Sequence, residues 1–548
     1  MHAKEWLVMR RLSCPIAVAA VLAFAAWRAA HAQGRGGSNW TTTSSDAQRT
    51  ASVRTDPRIS KSSVQSGGFQ LLWKSKLDNQ TRQLQSLTQP VLLSNIISYK
   101  GFKALAFVGG SSDNVYSIDY DLNRLFWKRH LNVPPPPNGS PACPDALTTI
   151  TRSTPMPQAP AGTRTATAPQ AAVPSGASQG RGAPPAPAGA GGVGRGADLN
   201  VYAVSSSGMA HVLNPQTGDD LKPPVKFLPP NAKAIGSILL DTTLYTATAD
   251  NCGGAANGVW AIDLGSDTRT VTTWETKGGS IAGTAGPTFA TNGIISVATE
   301  DGDYSSSAYS DAVVALDPRT LMLKGWFTPG RTPFTASPVA FDFHGRDLIV
   351  AANADGRLYL LDAASPGGAD HRTPLSKTPP YAGSTAGFAA GALASWEDAD
   401  GTRWVLAPAG GPIHADSTFP STNGPVTRGA IVAYKVVPQN GAPALQPSWV
   451  SRDMISPVPA TVVNGVVFAL SSGEYRGGDV KMSATRRAQL SKPAILYALD
   501  AATGRELWTS GSAITSFVHA VGPSAGDGQV YVVTYDGTVY AFGIPLEH

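Results

Sequence analysis

The pair His414-Ala415-Asp416 lies in a Gly/Pro-rich stretch and sets an imidazole beside a carboxylate. That is the arrangement of a general base. The plainer reading is a solvated loop pair. His519 is a second candidate base, in a stretch that reads as the innermost strand of a repeat; a histidine satisfied by its neighbours is the competing reading. Glu300-Asp301-Gly302-Asp303-Tyr304-Ser305 gathers hard oxygens. Asp301, Asp303 and Ser305 have the alternate spacing that opens a calcium loop. The twelfth position of such a loop falls on Ala312 rather than on a glutamate, so a polar hairpin turn competes. His211, His344 and His371 fit no pattern. No nucleophile elbow or phosphate-binding loop stands in a strand–helix setting. Cys143 and Cys252 could form one disulfide or be two separate small apolar side chains.

These residues have to be carried by something, and the repeating unit shows what. Leu496–Trp508 reads Leu-Tyr-Ala-Leu-Asp-Ala-Ala-Thr-Gly-Arg-Glu-Leu-Trp. Period-2 alternation makes Leu496–Asp500 a strand. Asp500 ends it, because its carboxylate accepts backbone N–H groups of the turn. Gly504 supplies a positive φ, and Trp508 returns an apolar plate to the next strand. Variants recur at Val115–Asp119, His211–Asn214, Val259–Asp263, Val313–Asp317, Leu358–Asp362, Ile431–Tyr434 and Val539–Phe542. Each follows a second apolar strand, often through Asp-Gly, as at Asp355-Gly356 and Asp536-Gly537. Upstream lie small-residue stretches such as Ala336–Ala340 and Ser456–Ala460, suited to an innermost strand. Trp274, Trp326 and Trp508, at repeat spacing, are interblade packing rather than a stacking platform.

The spacing predicts an all-β protein, an eight-bladed β-propeller of four-stranded blades. The last copy lacks a fourth strand, and Leu71–Lys74 is a fourth strand lacking its first three. Pairing of the N- and C-terminal strands would close the ring and remove two exposed edges. Residues 1–32 read as a signal peptide, with Arg10 and Arg11, an apolar run and Ala30-His31-Ala32. Residues 33–67 are expected to form an extended arm with little core of its own, and 68–548 the propeller. Residues 153–196, nearly all Pro, Ala, Gly, Ser, Thr, Gln and Arg, are expected to be a disordered insert.

Charged residues make up only 15% of the 548, with 57 Gly and 43 Pro, which suits short strands and turns. The leader, with Lys4, Arg10, Arg11 and Arg28 against Glu5, carries +3 of the formal net charge of +5. The remainder is too nearly neutral for a nucleic-acid footprint. No later run is long enough to span a bilayer. The expected product is exported, periplasmic or extracellular, and monomeric.

The repeat Tyr497–Trp508 resembles that of pyrroloquinoline-quinone (PQQ) type eight-bladed propellers. Trp40, Asp46, Arg49, Ile59-Ser60 and Leu71-Leu72-Trp73-Lys74 resemble the opening of such exported proteins. The resemblance implies one of two functions. One is a ring that binds an envelope protein or a small molecule on its axis, without cofactor. The alternative is a quinoprotein dehydrogenase that oxidises an alcohol or sugar with PQQ and Ca²⁺. The dehydrogenase branch generally covers its quinone with a disulfide between adjacent cysteines, which this chain lacks. It also lacks a Cys-x-x-Cys-His haem site. The repeat is scaffold, so it speaks for fold before activity.

Overall fold

A computed structural model describes residues 40–98, 101–111, 113–131, 143, 145–158, 198–303, 307–383, 388–477 and 482–545. They belong to one compact unit. The expected leader and residues 159–196 of the expected insert lie outside the described residues. Among these residues helix is limited to Lys61–Gln65, Ala484–Leu490 and two single 3₁₀ turns. None is long and apolar enough to cross a membrane.

The rest is a succession of antiparallel meanders. Their opening strands are Val91–Ser98, Thr149–Thr154, Lys233–Leu240, Thr288–Phe289, Val339–Phe343, Ala394–Glu397, Thr461–Val463 and Ser524–Gly526. Behind each comes a second strand and then a third. The third strands contain the repeat copies, for example Asn114–Asp119, Ile495–Asp500 and Thr538–Gly543. Fourth strands such as Arg124–His130 and Glu506–Thr509 face outward and are partly exposed. In the last sheet the outermost position is taken by Gln70–Lys76, which pairs antiparallel with Thr538–Gly543, Trp73 opposite Ala541.

The repeat chemistry works as its residue types dictate. Asp500 Oδ1 accepts the backbone N–H groups of Ala502 and Thr503 at 2.8 and 3.1 Å. Gly504 has φ +72°, and a Cβ there would stand 2.4 Å from the Trp449 ring. Trp449 reaches across from the preceding sheet and donates Nε1–H to the carbonyl of Ala501 at 2.9 Å. The same lock joins other neighbours. Trp127 donates to the carbonyl of Pro215 at 2.9 Å, with Gly218 against its ring. Trp73 donates to the carbonyl of Tyr120 at 3.0 Å. Each Trp therefore ties one sheet to the next through one bond, and Trp449 and Trp127 also fill a glycine-sized gap.

Two expectations need correction. Ser456–Ala460 is not a strand; the opening strand there is Thr461–Val463. Pro457 and Pro459 have no N–H to give a ladder, and Ser456 has φ +44°. Ser153 and Thr154, placed at the head of the insert, instead close strand Thr149–Thr154 and pair with Leu239 and Leu240. The arm, with little core of its own, packs into the core of the sheets. Trp40, Ala51, Val53, Ile59 and Val64 are buried in one cluster with the first, seventh and last sheets. Burying Trp40 alone is worth about 4–6 kcal/mol in gross apolar transfer.

Candidate functional site

The arm Trp40–Val53 runs where the opening strands converge. Its carbonyls are taken up in turn by sheet after sheet. Trp40 O accepts Leu92 N–H at 2.7 Å, and Thr41 O accepts Arg152 N–H at 2.8 Å. Thr42 donates its hydroxyl to the carbonyl of Ser237 at 2.7 Å. Ala47 O then accepts Phe289 N–H at 2.8 Å, and Gln48 O accepts Ala340 N–H at 3.0 Å. Thr50 O accepts Ser395 N–H, and Ala51 O accepts Val462 N–H, both at 2.9 Å. Ser52 and Val53 continue as a parallel pair with Val462 and Val463. Gln89 links the remaining sheet. It accepts Ser44 N–H at 2.8 Å and donates to the carbonyls of Gly522 and Pro523 at 3.0 and 2.7 Å.

Such a path bends sharply. Ser44, Ser45, Arg49 and Ala51 all have φ between +49° and +74°, a region that L side chains avoid. Each costs roughly 1–3 kcal/mol and persists only where surroundings over-determine it. Asp46 is one such constraint: its carboxylate accepts Thr50 N–H at 3.0 Å and the Thr50 hydroxyl. Burial pushes the Asp46 carboxyl up, against those bonds and the nearby Arg49. Arg49 is the other constraint. It is 1% exposed and spends its donors on the carbonyls of Pro287, Thr43 and Gly236 and on the Thr42 hydroxyl, at 2.7–2.8 Å. Burial draws its pKa down to about 9, with Asp46 pulling the other way. Gly236 is obligatory beneath it, since a Cβ would lie 1.8 Å from the carbonyl oxygen of Ala285.

Beside this arm lies a cavity of about 150 Å³. Thr43 of the arm is part of its wall, with Gln85, Thr88, Gln89, Thr149 and Lys233. Cofactor sites usually enclose about 300–1,000 Å³. No aromatic side chain and no histidine lines this one. Its carboxylate, Asp145, is tied to Lys233 Nζ at 2.6 Å, and Lys233 also holds Asp250 at 2.7 Å. Burial pulls Lys233 down, but the two carboxylates overcome it and hold the ammonium above its usual pKa. A planar quinone with a calcium ion needs a flat plate and several free hard oxygens. The residues lining this cavity do not fit that pair.

His519 is held by a partner the sequence did not single out. Its Nδ1 lies 3.0 Å from Glu474 Oε2. Glu474 is fully buried and also meets Arg476 at 3.0 Å and Arg487 at 3.6 Å. Burial alone would raise this carboxyl; His519 and the two guanidiniums win and hold it at about 2. Glu474 follows strand Val466–Ser471 in a Gly-rich connector, and nothing in its local sequence marks it as buried.

The other candidates are not drawn together. His414 Nδ1 and Asp416 Oδ2 are 3.6 Å apart, and the Asp416 backbone N–H donates to the same ring nitrogen at 3.2 Å. The pair is a self-contained exposed turn. Asp301 and Asp303 are exposed. The buried acid of that connector is Asp311, 1% exposed, with neither oxygen hydrogen-bonded among the described residues. Burial and Asp301 push Asp311 up to about 6, and burial and Asp250 push Glu300 up to about 7. Cys143 and Cys252 are disulfide-bonded, Cα atoms 5.3 Å apart.

Successive antiparallel sheets tied by Trp–Gly locks define a β-propeller. The fold is that of a β-propeller, and its repeats are similar to those of the PQQ type. Residues 452–544 match the family model described as outer membrane protein assembly factor BamB. The whole fold is similar to quinohemoprotein alcohol dehydrogenase from Comamonas testosteroni, with 14% identity and TM-score 0.56 over 93% of this chain and 81% of that one. A europium-containing methanol dehydrogenase has 11% identity and TM-score 0.54, over 93% and 98% of the two chains. Quinohemoprotein alcohol dehydrogenase ADHIIG from Pseudomonas putida HK5 has 12% identity and TM-score 0.53, over 93% and 82%. At such identities the likeness speaks for fold alone. No curated protein matches the chain.

Proposed function

We propose that the mature chain, 33–548, is an exported, monomeric, eight-bladed ring that binds an envelope protein or a small ligand and performs no quinone chemistry. In this reading residues 1–32 are a cleaved leader, 33–67 the arm and 68–548 the closed propeller. The order of the meanders and the pairing of Gln70–Lys76 with Thr538–Gly543 support eight blades and closure by the two ends. One observation carries the functional reading: the chain's own arm bonds one opening strand after another, and the cavity beside it is small, with no aromatic wall among the described residues. The match of residues 452–544 to an outer membrane assembly factor model agrees with a binding role.

The alternative is a PQQ- and Ca²⁺-dependent dehydrogenase of alcohols or sugars. The His519–Glu474 pair favours it, since a buried carboxylate orienting an imidazole is what a general base requires. Titration of the purified protein with PQQ and Ca²⁺ separates the two. The binding reading expects no stoichiometric quinone absorbance at tens of micromolar PQQ, and no dye-linked alcohol oxidation. Stoichiometric uptake with turnover, lost in His519→Ala, would establish the enzyme instead.

A further inference from the structure

Every disulfide is preceded by two thiols, and the surroundings of Cys143 and Cys252 hold more than a staple. Asp250 stands beside them: one oxygen of its carboxylate and the two sulfurs all lie within 4.8 Å of one another. The three arrive from two places. Cys143 lies ahead of strand Thr149–Thr154, while Asp250 and Cys252 share the connector after strand Thr243–Ala249. That connector is stiff. Asp250, Asn251, Gly253 and Gly254 have φ between +49° and +74°. A Cβ on Gly253 would stand 2.2 Å from the carbonyl oxygen of Pro230. The turn presents the Asp250 carboxylate and the Cys252 sulfur on the same side, facing Cys143.

We propose that in the dithiol state Cys143, Cys252 and Asp250 bind one Zn²⁺ ion, with a water in the fourth position. Two sulfurs and one carboxylate oxygen are a three-ligand set that suits a borderline-soft divalent ion better than Ca²⁺ or Mg²⁺. Tetrahedral zinc places such ligand atoms roughly 3.5–3.8 Å apart, so small side-chain rotations complete the site. Asp250 is 44% exposed at its side chain, so the ion has a route in. Its present partners are Lys233 Nζ at 2.7 Å and the Ser280 hydroxyl at 3.2 Å. Lys233 keeps Asp145 when Asp250 turns to the metal, so no cation is left uncompensated.

Ion and disulfide exclude one another, because only a thiolate ligates. Zinc loading displaces the two thiol protons. Oxidation by an exchanging disulfide passes two electrons to that disulfide, which leaves as two thiolates; the zinc-bound thiolates join as the S–S bond and the ion departs. The site is therefore a redox-gated clip between the same two segments, on the wall that carries Asp145 and Lys233 into the cavity.

The test reduces the full-length protein with a phosphine, which takes up water oxygen as its oxide, and titrates Zn²⁺ or Co²⁺ anaerobically. One equivalent should bind, with release of two protons, and Co²⁺ should show a sulfur-to-metal charge-transfer band. The oxidised protein should bind none, and the Cys143→Ser/Cys252→Ser double variant should lose the band. Asp250→Asn, an isosteric change that the left-handed backbone accepts, should weaken affinity roughly 10–100-fold. No uptake by the reduced chain, uptake by the oxidised chain, unchanged affinity in Asp250→Asn or unfolding on reduction each overturns the proposal.

Discussion

At the scale of single residues, burial and charge pull the buried acids in opposite directions. Glu474 has its folded-state pKa near 2, below the unfolded value of an ordinary glutamate. Its ionisation therefore supports the fold fully above about pH 4.5, and that support is lost as pH falls towards 2. Glu300, near 7, has the reverse sign. Its ionisation opposes the fold, so stability rises as pH falls from 7 towards 4.5. Chemical denaturation across pH should show both slopes. Glu300→Gln should reduce the gain between pH 7 and 4.5, leaving the share of Asp311, and Glu474→Gln should flatten the acid limb while lowering stability at neutral pH. A profile with no change in either variant contradicts the assignment. His519 was legible as an unusual residue in an inner stretch. Glu474 was not, because a charge in a Gly-rich connector looks solvated until the fold closes over it.

At the scale of elements, the repeat was legible because its parts are local. Alternation marks the third strand, Asp500 and Gly504 mark its turn, and Trp508 follows on the next strand. The same locality explains the errors. Ser456–Ala460 has the small residues of an inner strand, yet its prolines forfeit the ladder. Ser153 and Thr154 have the composition of the insert but are claimed by Leu239 and Leu240, far along the chain. The Trp–Gly lock gives a direct expectation. Gly504→Ala should destabilise by about 1–3 kcal/mol, because a Cβ meets the Trp449 ring and φ is +72°. Gly441→Ala, at φ +80° with open space around it, isolates the backbone part. Thermal melts of the two variants should differ, Gly504→Ala melting lower; equal melting points would remove the packing component of the lock.

At the scale of the whole molecule, the repeating sheets were legible in the sequence and the path of the arm along their opening strands was not. Thr, Ser and Ala in the arm read as a polar tail, since their value lies in backbone carbonyls that composition does not reveal. Hydrogen exchange can see them. The amides of Leu92, Arg152, Phe289, Ala340, Ser395 and Val462 should be among the most protected in the native protein. They should lose protection together when residues 33–53 are removed, while third-strand amides such as those of Leu496 and Ala498 exchange as before. Protection that survives removal of the arm contradicts the axial path.

The position of the arm also fixes an order of events at the ribosome. The N–H donors to its carbonyls are spread over some 370 residues, from Leu92 to Val462, and Gln70–Lys76 needs a strand that ends at Gly543. The arm, made before any of these partners, is thus among the last segments to come to rest. Until translation ends, Trp40, Ile59 and Phe69 have nowhere to hide, and a holding chaperone or a protease would meet them first.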